Sequence, residues 1–144
     1  MNGEDAMDEV LRQSASDLLY GLFQSESLLE CIGLYSTTGR LELSWCRSQF
    51  GHKALNSAIG PIIGKFGMSM IAHTHEEGDL GFLRTDEHLV WFEPLLNTHI
   101  VAFVLPIDSK AVFLTENLKN TTQSLRYLLE KRRRLLKQRE TFKL

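Results

Sequence analysis

Apolar positions recur along this chain with two different spacings, and the points where one gives way to the other divide it into helices and strands. Between residues 5 and 24, Leu11, Ala15, Leu18, Leu19 and Leu22 return at steps of three and four, the pattern of a helix with one apolar face. Asp5, Asp8 and Glu9 fall in its first turns, where the positive end of the helix dipole favours acids. Residues 31–47 alternate instead and predict a β-hairpin. With Thr38-Gly39 as a two-residue turn, Ile32 faces Trp45, Leu34 faces Leu43 and Ser36 faces Leu41. That register gathers nearly all the large apolar side chains on one face, and a slip of one residue would scatter them. It also sets Cys31 opposite Cys46 on the other face.

Helical spacing returns over residues 52–72, where Leu55, Ala58, Ile59, Ile62, Ile63 and Phe66 form a stripe. Pro61 interrupts it by removing a backbone donor, which predicts a kink or a late start near Gly60-Pro61. Gly60, Gly64 and Gly67 each cost ~1 kcal/mol against alanine inside a helix. Two readings of them stay open: a poorly built helix end, or the close approach of another backbone.

Three short strands follow, over residues 80–85, 89–95 and 100–105, with turns at Asp86-Glu87-His88 and Leu96-Asn97-Thr98. The last strand is an uninterrupted apolar run, as expected of a central strand covered on both faces. A long helix is predicted from about 109 to 139, capped by Asp108 or Ser109. Val112, Leu114, Leu118, Thr121, Leu125, Leu128 and Leu129 give its buried face, and Leu135 and Leu136 continue the stripe. The order is α-β-β-α-β-β-β-α. Short connections favour an α/β (α+β) fold with a single five-stranded antiparallel sheet flanked by helices on both faces. With no repeat and no linker, residues 1–144 read as one domain, with its core at about 5–130 and a basic helical extension at about 131–144.

Composition narrows the picture only modestly. An apolar fraction of 43% and a charged fraction of 24% are ordinary for a globular domain. A net charge of −2 gives no global drive toward nucleic acid or acidic membranes. No apolar run reaches the ~18 residues of a membrane span. Two cysteines are too few for a disulfide framework, and the acidic start is unlike a targeting peptide, so a cytoplasmic location is expected. Charge is unevenly spread. Glu4, Asp5, Asp8 and Glu9 are acids with no base among them, whereas Lys131, Arg132, Arg133, Arg134, Lys137 and Arg139 crowd the last helix. The basic run is read first as a solvated helix end and second as a docking surface for an anionic partner. Nucleic acid is disfavoured because aromatic interleaving is nearly absent, and a membrane enters only as a peripheral surface.

Catalytic motifs are missing: no Walker loop, no Rossmann glycine pattern, no H-E-x-x-H, no G-x-S-x-G and no C-x-x-C. The chain is therefore read as no enzyme, with no cofactor. His73 and His75, with Glu76 and Glu77, would point the same way in an extended segment, and His88 or His99 could complete a zinc site. An ordinary polar loop is the preferred reading of them. Cys31 and Cys46 are read as a small apolar pair under a helix, with a redox-sensitive bridge as the alternative. The surface most suited to binding is the second helix with the strand at 80–85, which could be a sheet edge.

The order of elements, the segment Ile32-Gly33-Leu34-Tyr35-Ser36-Thr37-Thr38-Gly39-Arg40-Leu41 and the apolar strand His99-Ile100-Val101-Ala102-Phe103-Val104-Leu105 resemble the roadblock/LC7 family, related to longin and profilin-like domains, over residues 8–130. Thr38-Gly39 stands where the family often has Asp-Gly. Pro61 and the basic extension depart from its usual pattern. The resemblance implies a non-catalytic module that dimerises, with itself or a paralogue, through its second helix and third strand. It would regulate or scaffold a Ras-like small GTPase, or serve as an adaptor or light-chain subunit of a multiprotein complex. On this chain it points to Leu55, Ile59, Ile62, Ile63, Phe66, Leu80, Phe82 and Arg84 as the interface.

Overall fold

A computed structural model describes residues 9–74, 81–84, 86–95, 98–107 and 111–142. The order is α1 (Glu9–Ser25), β1 (Cys31–Ser36), β2 (Leu41–Cys46), α2 (Gln49–Ala54), a π-helical turn (Leu55–Ile59), α3 (Gly60–Thr74), β3 (Gly81–Arg84), β4 (His88–Leu95), β5 (His99–Pro106) and α4 (Ala111–Phe142). The expected first residues of α1, 5–8, and the expected caps of α4, Asp108 and Ser109, lie outside the described residues.

The strands form one sheet in the order β2-β1-β5-β4-β3, and every neighbouring pair is antiparallel. Side chains alternate across it with period two. On β5, Val101, Phe103 and Leu105 enter one core, shared with Leu11, Ala15, Leu19 and Leu22 of α1 and Leu118, Leu125 and Leu129 of α4. Ile100, Ala102 and Val104 enter a second core on the opposite face, shared with Leu55, Ile59 and Ile63 of the helix from Gln49 to Thr74. β5 is thus covered on both sides, which explains its uninterrupted apolar run. α4 also buries Thr122, which the apolar count passes over because its hydroxyl is polar. That hydroxyl is satisfied by donating to the carbonyl of Leu118, 2.8 Å away.

The hairpin departs from the expected register at its tip. Ile32 pairs with Trp45 and Leu34 with Leu43, but Tyr35, not Ser36, pairs with Leu41. The loop has three residues, Thr37, Thr38 and Gly39, instead of two. The amide of Gly39 donates to the carbonyl of Ser36 (3.0 Å), that of Ser36 donates to the carbonyl of Arg40 (2.9 Å), and Gly39 has φ of 89°. A type I turn followed by a left-handed glycine adds one residue to the loop, and the register shift between Leu34 and Tyr35 absorbs it.

Of the two readings of the helix glycines, close approach is the observed one, and the approaching backbone is the chain's own hairpin. A Cβ on Gly64 would lie 2.8 Å from the carbonyl oxygen of Thr38, and one on Gly67 would lie 3.1 Å from that of Thr37. The interruption at Pro61 takes the form of a π turn. The amide of Gly60 bonds back to the carbonyl of Leu55, which also accepts the buried hydroxyl of Tyr35 at 2.8 Å. Widening the helix before a proline relieves the clash its ring would make with the preceding turn.

Candidate functional site

Two surfaces combine chemistry with exposure. The first is the outer face of α3 together with β3. β3 pairs with β4 and, among the described strands, ends the sheet. α3 packs over β4 on the adjacent face. The eight residues expected at an interface divide sharply here. Leu55 and Ile63 are fully buried and Ile59 is 4% exposed, so all three are committed to the chain's own core. Ile62 is half-buried and Phe66 is 48% exposed, with the ammonium of Lys65 5.6 Å from its ring centre. Around them Asn56, Ser57, Ala58, Pro61, Gly64, Lys65 and Ser69 are exposed, giving a low-relief face with one aromatic ridge. Arg84 is exposed on β3 opposite Leu89, Phe82 holds the register position opposite Trp91, and Leu80 lies outside the described residues. Of the helical stripe, Leu55, Ile59 and Ile63 hold the helix to the sheet, whereas Ile62 is half-buried and Phe66 faces outward.

The second surface is the end of α4. Among the described residues Leu129 is the last with less than a tenth of its surface exposed, and the helix continues to Phe142. Lys131, Arg133, Arg134, Lys137 and Arg139 are exposed, Arg132 is half-buried and Leu135 is 41% exposed. Glu130 lies 3.8 Å from Arg134, the ordinary i,i+4 spacing on a solvated helix.

Among the described residues the histidines do not assemble into a metal site. His73 is in the last turn of α3, so the extended geometry that would align it with His75 is not formed there, and His75 lies outside the described residues. His88 and His99 sit at opposite ends of the β4–β5 ladder, about 23 Å apart at the usual strand rise. Each has a carboxylate partner: His88 Nε2 is 2.6 Å from Glu30, and His99 Nε2 is 2.9 Å from Glu42. Among the described residues no cluster of three potential ligands occurs.

The Glu42–His99 pair is nearly dry, with side chains 7% and 3% exposed. Burial alone would raise the Glu42 carboxyl, but hydrogen bonds and charge from His99, and then from Arg40 at 3.2 Å, outweigh it and hold its pKa below the ordinary carboxylate value. The ionised carboxylate only accepts, so His99 Nε2 is the donor. Arg12 of α1 donates to the carbonyl of Glu42 at 2.7 Å, tying α1 to the β2 edge. On the same face, opposite Val101 and so two residues along β5 from His99, Glu93 of β4, 2% exposed, pairs with Arg126 of α4. Arg47 donates to the carbonyls of Leu29 (2.7 Å), Phe23 (2.6 Å) and Glu26 (2.9 Å), closing the turn between α1 and β1. Charged residues far apart in sequence make these bonds, so no local pattern announces them.

Cys31 and Cys46 are free thiols paired across β1 and β2, as the base of the expected register requires. Burial pushes both thiols up from their ordinary pKa, and for Cys31 the neighbouring Cys46 adds to it. Gly51, in the first turn of α2, lies so close over Cys31 that a side chain there would collide with the sulfur. The arrangement is that of small apolar packing beneath a helix.

With these elements placed, the class of fold is defined: the chain has the fold of the roadblock/LC7 domains. The particular structures it is similar to include MglB from Myxococcus xanthus, with 11% sequence identity, a TM-score of 0.69, and 88% of this chain and 94% of that one covered. An MglB with a tetrameric arrangement has 9% identity and a TM-score of 0.66 over 88% of this chain and 95% of that one. A roadblock/LC7 domain from Streptomyces avermitilis has 17% identity and a TM-score of 0.59 over 78% and 95%. No family model and no curated protein sequence matches the chain. Among the described residues no helix is long and apolar enough to cross a membrane.

Proposed function

We propose that this chain is a non-enzymatic, dimeric protein-binding module that regulates or scaffolds a Ras-like small GTPase. The observation that carries this reading is the place of β3 at the end of the sheet among the described strands, together with the exposed Phe66 and half-buried Ile62 of α3, on a fold of the roadblock/LC7 kind. A second copy meeting that surface buries the aromatic and satisfies the edge amides and carbonyls of β3. The small exposed neighbours Ser57 and Ala58 let a facing chain come close. A similar structure with a tetrameric arrangement supports self-association as a property of the fold. The family's tie to small GTPases supports the choice of partner.

The test is retention of partners from native lysate on tagged chain, with GDP and with a non-hydrolysable GTP analogue. Retention of a Ras-like GTPase in one nucleotide state, reproduced with the purified GTPase, is the expected result. Partners indifferent to nucleotide would overturn the GTPase reading and leave a structural adaptor or light-chain role.

One observation favours a second reading. Among the described residues, α4 runs past its last buried one with Lys131, Arg133, Arg134, Lys137 and Arg139 exposed. A regulatory domain docking there on an anionic surface would lose salt-sensitive binding when truncated after Leu129.

A further inference from the structure

Cys31 and Cys46 face each other where β1 and β2 do not bond within the pair. The amide of Arg47 donates to the carbonyl of Glu30 at 3.0 Å, so the hydrogen bonds flank the two cysteines. Facing Cα atoms at such a position are about 4.5 Å apart, inside the range of about 4.4–6.8 Å that a disulfide spans. Both side chains join the core on the helix side of the sheet, and the two thiols share a hydrogen bond. A Cβ on Gly51 would collide with the Cys31 sulfur and lie 3.3 Å from that of Cys46, so both sulfurs crowd one point beneath α2. Cys31 is 3% exposed, whereas Cys46 is half-buried.

We propose that Cys31 and Cys46 form a redox modification site, a dithiol that a low-molecular-weight disulfide converts to a bond across the base of the hairpin. Exposure sets the order of events. The Cys46 thiolate attacks one sulfur of the small disulfide, forming a mixed disulfide and releasing the first small thiolate. The Cys31 sulfur then attacks Cys46 and displaces the second. The two protein thiols are oxidised to one disulfide, the small disulfide is reduced to two thiols, and the protein's two protons end on them. Burial pushes both protein thiols up, which slows the exchange, so the pair answers sustained oxidation rather than a brief pulse. The reduced pair packs as small apolar groups, and the bond needs only side-chain rotation. It ties the base of a hairpin whose tip already rests against Gly64 and Gly67 of α3. The site stands independently of the GTPase reading.

The test is prolonged incubation of the folded full chain with excess glutathione disulfide, read by intact mass, peptide mapping and thermal melts. The expected product has lost two hydrogens, carries a Cys31–Cys46 link within one chain, and melts several degrees above the reduced chain. A chain that stays reduced, stops as the mixed disulfide, links only between copies, or melts lower once linked would overturn the proposal. Two variants check the order of attack, with circular dichroism as the check on folding. Cys31→Ser should accumulate the glutathione adduct on Cys46, and Cys46→Ser should react at least tenfold more slowly. Equal rates for the two variants would contradict the assigned order.

Discussion

Glu42 and His99 are far apart in sequence, yet they pair in the interior with side chains only 7% and 3% exposed. Their worth is visible through pH. A carboxyl whose folded-state pKa lies below its unfolded value, about 4.3 for glutamate, contributes stability that is fully present above that value. The contribution is lost as pH falls through the folded-state pKa. The wild-type melting temperature should therefore drop as pH is lowered below about 4, and Glu42→Gln should be less stable at neutral pH with a shallower acid drop. Thermal melts across that range check this, and parallel profiles for the two proteins would show that the pair has no such role. Neither partner was legible in advance. A histidine at the start of an apolar strand and a glutamate on an edge strand are ordinary residues until the sheet order sets β2 and β5 on either side of β1.

At the scale of elements, periodicity located the helices and strands because burial on one or two faces imposes it. The central strand and the α3 stripe are the clearest cases. What periodicity could not supply was the inside of a turn or the identity of a neighbour. A two-residue and a three-residue hairpin loop differ by one residue, and Thr38-Gly39 satisfies both until the left-handed Gly39 and the shift at Leu34/Tyr35 are seen. The stripe Leu55, Ile59 and Ile63 was correctly apolar, but the same pattern serves a core and an interface equally well, and the core takes it here. The helix glycines make the distinction measurable. Gly21 of α1 has nothing within 4 Å of a would-be Cβ, so Gly21→Ala should stabilise the protein by about 1 kcal/mol from helix propensity alone. Gly64→Ala gains the same propensity but forces a Cβ to 2.8 Å from the backbone oxygen of Thr38. Overpacking of that kind costs about 1–3 kcal/mol, so the net change should be a loss. Urea unfolding of both variants decides it, and equal stabilisation would mean that the hairpin does not rest on α3.

At the scale of the whole molecule, the sheet has helices on both faces, β3 ends it among the described strands, and Phe66 is exposed on the outer face of α3. The central claim is that this edge and the outer face of α3 join two chains. The core residues on the same helix are unsuitable for testing it, because Ile63→Asp would set a charge inside the fold and unfold the chain. Phe66→Asp changes only a half-exposed side chain. The most direct measurement is sedimentation equilibrium of wild-type and Phe66→Asp protein over a wide concentration range, with circular dichroism as the check on folding. The account predicts a wild-type dimer and a folded monomeric variant. A wild-type chain that stays monomeric at high concentration, or a variant that dimerises as tightly as wild type, would contradict it.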